Sequence, residues 1–192
     1  MIVRFSSKNN QVWLIQCGRQ KWVRKIFENA EKAAFEAKLL YCFDRERLIA
    51  QHGACLDMKF VRGIRLDRWI EQREKAGTLD WDAGKALVYC LSEFKNTTGL
   101  VCTDHNLRNF IVTAHEITRI DFESAKSGEL NDSLASLCAY ILLNRPEDSA
   151  VKRRIVQQIK MALALNEMET DIFENAICRN RKEILKRRKH AA

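Results

Sequence analysis

The sequence predicts an α+β chain in two parts, a small β-rich first part with one helix and a larger, mainly helical second part. Three observations carry this. Two short runs rich in β-branched and aromatic residues, QVWLIQCG and KWVRKIF, stand near the start. Spacings of three and four between apolar residues dominate from Ala83 onward. One strand-loop-strand passage, LVCTDHNLRNFIV and then EITRIDF, interrupts that helical half.

Taken in order, the first two runs are separated by CGRQ and read as a hairpin. A helix follows, with Asn29 placed to cap it and Ala33, Ala37, Leu40 and Tyr41 recurring at helical spacing. Glu36 lies on that stripe. Either it points inward, where an ionised group needs a cation and Lys25 on the preceding strand is the candidate, or it sits at the stripe's edge and reaches solvent. CLDMKFVRG reads as another strand ending at Gly63, whereas RLDRWIEQREKAG reads as mostly solvated. DWDAGKALVYCLSEFKN places apolar residues at 83, 86, 87, 90, 91 and 94, a helix closed by NTTG. NDSLASLCAYILLN is a further helix ending before Pro146. Two more run from about Glu147 to Leu165 and from Thr170 into a basic end.

With 192 residues, 46% hydrophobic and 30% charged, the chain can bury a core as one domain or as two small lobes sharing a cleft. No stretch approaches the roughly 20 apolar residues that span a bilayer. The opening MIVRFSSKNN lacks the apolar segment and cleavage site of a secretory signal, so a cytoplasmic protein is expected. Seven cysteines without a CxxC pair point to reduced thiols filling core space. Cys102 and His105 hint at a metal pair, but no second pair stands at zinc spacing. The net charge of +8 is uneven: Arg179, Arg181, Lys182, Lys186, Arg187, Arg188 and Lys189 crowd eleven positions. This end is either a solvated helix terminus or a docking site for nucleic acid or another polyanion.

The chemistry concentrates in CTDHNLRN and IDF. Asp104 and Asn109 stand in a polar loop with four residues between them, framed by apolar runs, and Asp121 ends the next apolar run. Two adjacent strands bring these three oxygen-bearing groups to one edge. Such a set suits Mg²⁺, which prefers oxygen ligands and is commonly held by one or two carboxylates plus substrate phosphates. A further carboxylate beside the ion can take the proton of an attacking hydroxyl. For each acid the alternative is a cap or a turn, positions that Asp and Asn favour in any case.

These residues resemble the protein-kinase-like fold, in particular its small divergent branch. CTDHNLRNFIV is similar to the catalytic loop HxDxxxxN and IDFE to DFG. WVRKIF resembles the strand bearing the nucleotide lysine, FEAKLL the helix bearing its glutamate, and MKFVRGIRL the adenine-reading hinge. The matches fall in the family's order between about residues 12 and 142. The resemblance implies a two-lobed fold, with an N-lobe over 1–61, a C-lobe over 62–178 and a basic tail over 179–192. It implies an ATP-dependent phosphotransferase using Mg²⁺ to move a γ-phosphoryl group to a hydroxyl acceptor on a protein Ser/Thr, a glycolipid or a small molecule. Asp104 would be the catalytic base, and Asn109 and Asp121 the metal ligands. Lys25 would contact the nucleotide phosphates, held by Glu36. The main chain of Lys59 and Val61 would bind adenine, with Met58 at the back of the pocket.

The departures from the pattern also bear on function. Between Phe5 and Val12 stands SSKNNQ, without the usual glycines, leaving Ser6 and Ser7 as donors and hindering close approach to phosphate. Cys102 replaces the usual His, Asn106 a Lys or His, and Glu123 the Gly of DFG. Arg108 is the remaining cation for the transferring phosphate, or else a partner in a surface ion pair. Nine residues, SAKSGELND, lead to Ser133, too few for a regulated activation segment. The likeness is therefore to RIO kinases, the small kinase of the KEOPS tRNA-modification complex and lipopolysaccharide core kinases. Asp132 would brace the catalytic loop or simply cap a helix. A pseudokinase, binding nucleotide or scaffolding partners without turnover, is the alternative, as is a nucleic-acid-associated protein acting through the basic tail.

Overall fold

The computed structural model describes residues 1–5, 10–114 and 116–190. The chain divides into two compact units, Met1–Arg62 and Gly63–Ala192.

The first unit is an antiparallel sheet with one helix. Its strands are β1 (Ile2–Phe5), β2 (Gln11–Cys17), β3 (Gln20–Ile26), β4 (Leu48–His52) and β5 (Cys55–Lys59), in the order β1-β2-β3-β5-β4. The β2–β3 hairpin turns at Gly18, whose φ of 57° lies where a side chain is disfavoured. Helix α1 (Ala30–Phe43) begins as expected, with the Asn29 side chain accepting from the Lys32 amide at 3.0 Å. Its buried stripe is Ala33, Glu36, Ala37, Leu39 and Leu40. Tyr41 is 54% exposed and stacks under Arg45 instead, so the stripe turns toward Leu39. Strands β1 and β4 were not legible: IVRF and LIAQH are short edge strands with no clean alternation.

Among the described residues the second unit carries five α-helices: α2 (Leu66–Ala76), α3 (Ala83–Thr98), α4 (Leu130–Leu142), α5 (Ala150–Leu163) and α6 (Glu167–His190). Their apolar faces meet in one core, with Leu87, Leu91, Leu134, Leu137, Ile155 and Ile159 among its most buried members. The stretch expected to be solvated is α2. Leu66 and Ile70 are fully buried, and Gly77 closes the helix at φ 68°. Its other positions are largely polar, which hid the two anchors. Gly84 lets α3 approach α5: an added Cβ would lie 2.4 Å from Gln158 Cβ and 2.6 Å from the Ile159 amide nitrogen. The basic end is the last half of α6, and it is not detached, since Ile184 is buried and Arg188 donates to the Leu143 carbonyl at 3.0 Å. No helix among the described residues is long and apolar enough to cross a membrane.

Short strands set the loops between these helices. β6 (Ile64–Arg65), β8 (Phe110–Val112) and β9 (Ile117–Arg119) form one antiparallel sheet, and β7 (Val101–Cys102) pairs with β10 (Ala125–Lys126). Of the seven cysteines, Cys90, Cys102 and Cys138 are buried. Cys17, Cys42 and Cys178 are exposed rather than core-filling.

Candidate functional site

In the first unit, Lys25 and Glu36 form a buried ion pair. Lys25 sits on β3 between Val12 and Leu56 and is 5% exposed, Glu36 is fully buried, and Nζ to Oε2 is 2.8 Å. The inward reading of Glu36 is therefore the one the fold adopts. The ammonium also lies 4.7 Å from the Phe27 ring centre, a cation–π contact that helps fix the side chain. Met58 on β5 is buried and pairs with Val23 and Leu48. Lys59 ends β5 and is exposed, and Val61 follows in irregular, half-buried chain. The Ser6 and Ser7 donors fall outside the described residues.

In the second unit, β7 delivers the chain to the loop at 103–106 and a 3₁₀ turn, Leu107–Asn109, returns it to β8. Asp104 Oδ1 accepts from the Asn106 amide at 3.0 Å, and Asp104 Oδ2 accepts from Asn109 Nδ2 at 3.3 Å. The turn thus folds Asn109 back onto Asp104. Because the Asn109 amide nitrogen faces Asp104, its Oδ1 is the atom left to ligate a cation. Asp121 is placed by two devices. The Ile120 amide donates to the Asn109 carbonyl at 2.9 Å, and the next residue, Phe122, is fully buried, its ring stacked 5.1 Å from Phe94 of α3. Asp121 Oδ1 accepts from the Glu123 amide. An all-oxygen set of Asp104, Asn109 and Asp121 fits a hard divalent ion better than a soft one.

The loops are tied by groups that the sequence alone did not single out. Ser124 Oγ accepts from the amides of Thr103 and Asp104, at 3.3 and 3.0 Å. Ser133 at the start of α4 donates to the Cys102 carbonyl at 3.0 Å and lies 3.2 Å from His105 Nε2. Bracing of the loop thus falls to Ser133 and not to Asp132, which is 69% exposed and faces Arg179. Arg119, 1% exposed, donates from Nε to the Asp121 carbonyl at 2.7 Å and from Nη2 to the Asp104 carbonyl at 2.6 Å. A charged residue one step before an apolar-acid pair was the available signal. Arg108 is 61% exposed, and its Nε is 3.9 Å from Asp67, which Arg65 grips with two hydrogen bonds.

Electrostatics separate the neighbours of Asp104. Burial, reinforced by the Arg119 charge, pushes the His105 imidazole down to about 3, so it is neutral. Burial, and then the Asp104 carboxylate, raise the Tyr140 phenol above its ordinary value.

No family model and no curated protein sequence matches the chain. Among solved structures, one described as WaaP in complex with acyl carrier protein is similar over 92% of this chain and 88% of its own, at 13% identity and a TM-score of 0.56. A second, WbdD with the kinase inhibitor LY294002, is 17% identical over 86% of this chain and 46% of its own, with a TM-score of 0.49. A small sheet with one helix, a helical second unit and the WaaP likeness agree, and the chain has a protein-kinase-like fold.

Proposed function

We propose that the chain is an ATP-dependent phosphotransferase, moving the γ-phosphoryl group of ATP with Mg²⁺ to a hydroxyl acceptor on a protein Ser/Thr, a glycolipid or a small molecule. The observation that carries this reading is the built contact between Asp104 and Asn109, with Asp121 locked to the same strand pair. Asp104 takes the proton as the acceptor oxygen bonds to phosphorus and ADP leaves. Asn109 Oδ1 and the Asp121 carboxylate hold Mg²⁺, which neutralises charge on the phosphates when bound. Lys25, oriented by Glu36, meets the phosphates, while the main chain of Lys59 and Val61 binds adenine beside Met58. Arg108, largely exposed, is the cation for the phosphoryl group in flight. A cytoplasmic setting accords with this nucleotide chemistry.

Phosphoryl transfer from ATP by the wild-type chain and Asp104→Ala tests the assignment. The variant should lose about 10²–10⁴-fold in rate, as removal of a general base does, while keeping its thermal stabilisation by ATP and Mg²⁺. Turnover by the variant at the wild-type rate would refute the base. The glycine-free SSKNNQ supports a second reading, a nucleotide-poor scaffold. A wild-type chain that millimolar ATP and Mg²⁺ do not stabilise would favour that reading.

A further inference from the structure

The two acidic loops of the proposed site hang from one buried cation. Arg119 ends β9, opposite Phe110 of β8, whose ring centre lies 5.1 Å from the guanidinium carbon. Its Nε and Nη2 reach the carbonyls of Asp121 and Asp104, the acids assigned to the metal and to the base. An apolar side chain of similar volume would fill this position without the desolvation cost of a buried charge. What an apolar residue could not supply is a rigid planar fork that sets the distance between two main-chain oxygens.

We propose that Arg119 is a positioning residue for phosphoryl transfer, holding the Asp104 loop and the Asp121 turn in one register. The inference rests on the phosphotransferase reading. These two hydrogen bonds end on main-chain carbonyls and not on either carboxylate. Ser124 joins the same two loops through the amides of Thr103 and Asp104. Loss of the fork therefore loosens the loops without releasing them. A lysine places a compact charge on a flexible stem and cannot hold both carbonyls at the fork's fixed spacing. Displacement of a reacting group by about 1 Å is enough to cost roughly 10²-fold in rate.

The test compares the full chain with Arg119→Lys and Arg119→Met. Amide hydrogen exchange is read by mass spectrometry over 103–109 and 121–125, with α5 as the reference, and kcat and the KM for ATP are measured beside it. In Arg119→Lys both loops should exchange at least about tenfold faster while α5 is unchanged. The value of kcat should fall about 10²-fold, with KM for ATP held within about threefold. Wild-type exchange and wild-type kcat in Arg119→Lys would overturn the inference and leave the phosphotransferase reading intact. Faster exchange in α5 as well would assign Arg119 to general stability, and so overturn it too, whatever Arg119→Met does. An inert wild-type chain, with the loops still loosened in Arg119→Lys, would instead mark failure of the phosphotransferase reading on which the inference depends.

Discussion

Removal of Glu36 offers the sharpest separation of stability from function in the first unit. At 2.8 Å and an effective dielectric near 20, the Lys25–Glu36 attraction is about 6 kcal/mol, offset by the cost of taking both ions out of water. Glu36→Ala abolishes the attraction and leaves the desolvated ammonium behind, a loss of about 3–5 kcal/mol. A unit of this size, Met1–Arg62, has only about 3–9 kcal/mol in total at typical stability per residue. The single change should therefore populate its unfolded form in mild urea. Lys25→Met with Glu36→Met removes both charges and should recover about 2 kcal/mol or more of the loss, yet phosphoryl transfer should stay absent because the amine proposed to meet the phosphates is gone. ¹⁹F NMR of fluorotryptophan-labelled protein reads this locally, since Trp13 and Trp22 lie on β2 and β3. A double variant no more stable than Glu36→Ala would refute the account of the pair. Transfer at the wild-type rate in the double variant would refute the role of Lys25.

Further expectations concern the second unit. Gly84→Ala forces a Cβ against the α5 main chain and should cost about 1–3 kcal/mol, read as a lowered Tm; an unchanged Tm would contradict the close approach of α3 to α5. His105 is held neutral with its folded pKa depressed to about 3 from 6.5, so the unfolded chain binds the extra proton between these values. Unfolding free energy should consequently fall as pH drops below about 6.5, by up to about 1.4 kcal/mol per unit from this group. His105→Gln should flatten that part of the pH profile. Lys182, Lys186 and Lys189 are exposed on α6 at spacings of four and three. If this face docks a polyanion, reversing all three to Glu should weaken binding of a single-stranded RNA oligomer and reduce its salt slope by about 2 or more; an unchanged slope would exclude the face. Truncation from Arg179 is the poorer experiment, because it also removes buried Ile184 from the core.

The parts of the fold readable from sequence are those where a local pattern and a tertiary requirement coincide. The β2–β3 hairpin, the Asn29 cap and the Asp104–Asn109 turn each have a local physical cause: a glycine turn, a side-chain acceptor, and a five-residue step that a short turn closes. Helix α2 failed that test because its fully buried residues are Leu66 and Ile70, set among many charges. Glu36 stood on an apolar stripe with either outcome open, and only packing of α1 against the sheet decided it. Ser124 and Ser133 carry no sequence signal of their role, and Arg119 only its charge beside the apolar-acid pair Ile120–Asp121, for another reason. Apart from the Asp121 carbonyl, two residues from Arg119, the main-chain atoms they hold lie 15 to 31 residues away, and a main-chain atom leaves no mark on the residue type that carries it. The Tyr41 error was one of angle, since Leu39 and not Tyr41 turns inward.

The central claim is that Lys25 and the Asp104, Asn109 and Asp121 set serve one nucleotide. A crystal structure of the full chain with a non-hydrolysable ATP analogue and Mg²⁺ tests it most directly. The account predicts Lys25 Nζ within hydrogen-bond distance of a phosphate oxygen, and Asn109 Oδ1 with an Asp121 oxygen on the metal at about 2.1 Å. A nucleotide bound elsewhere, or a metal held without Asn109 and Asp121, would contradict it.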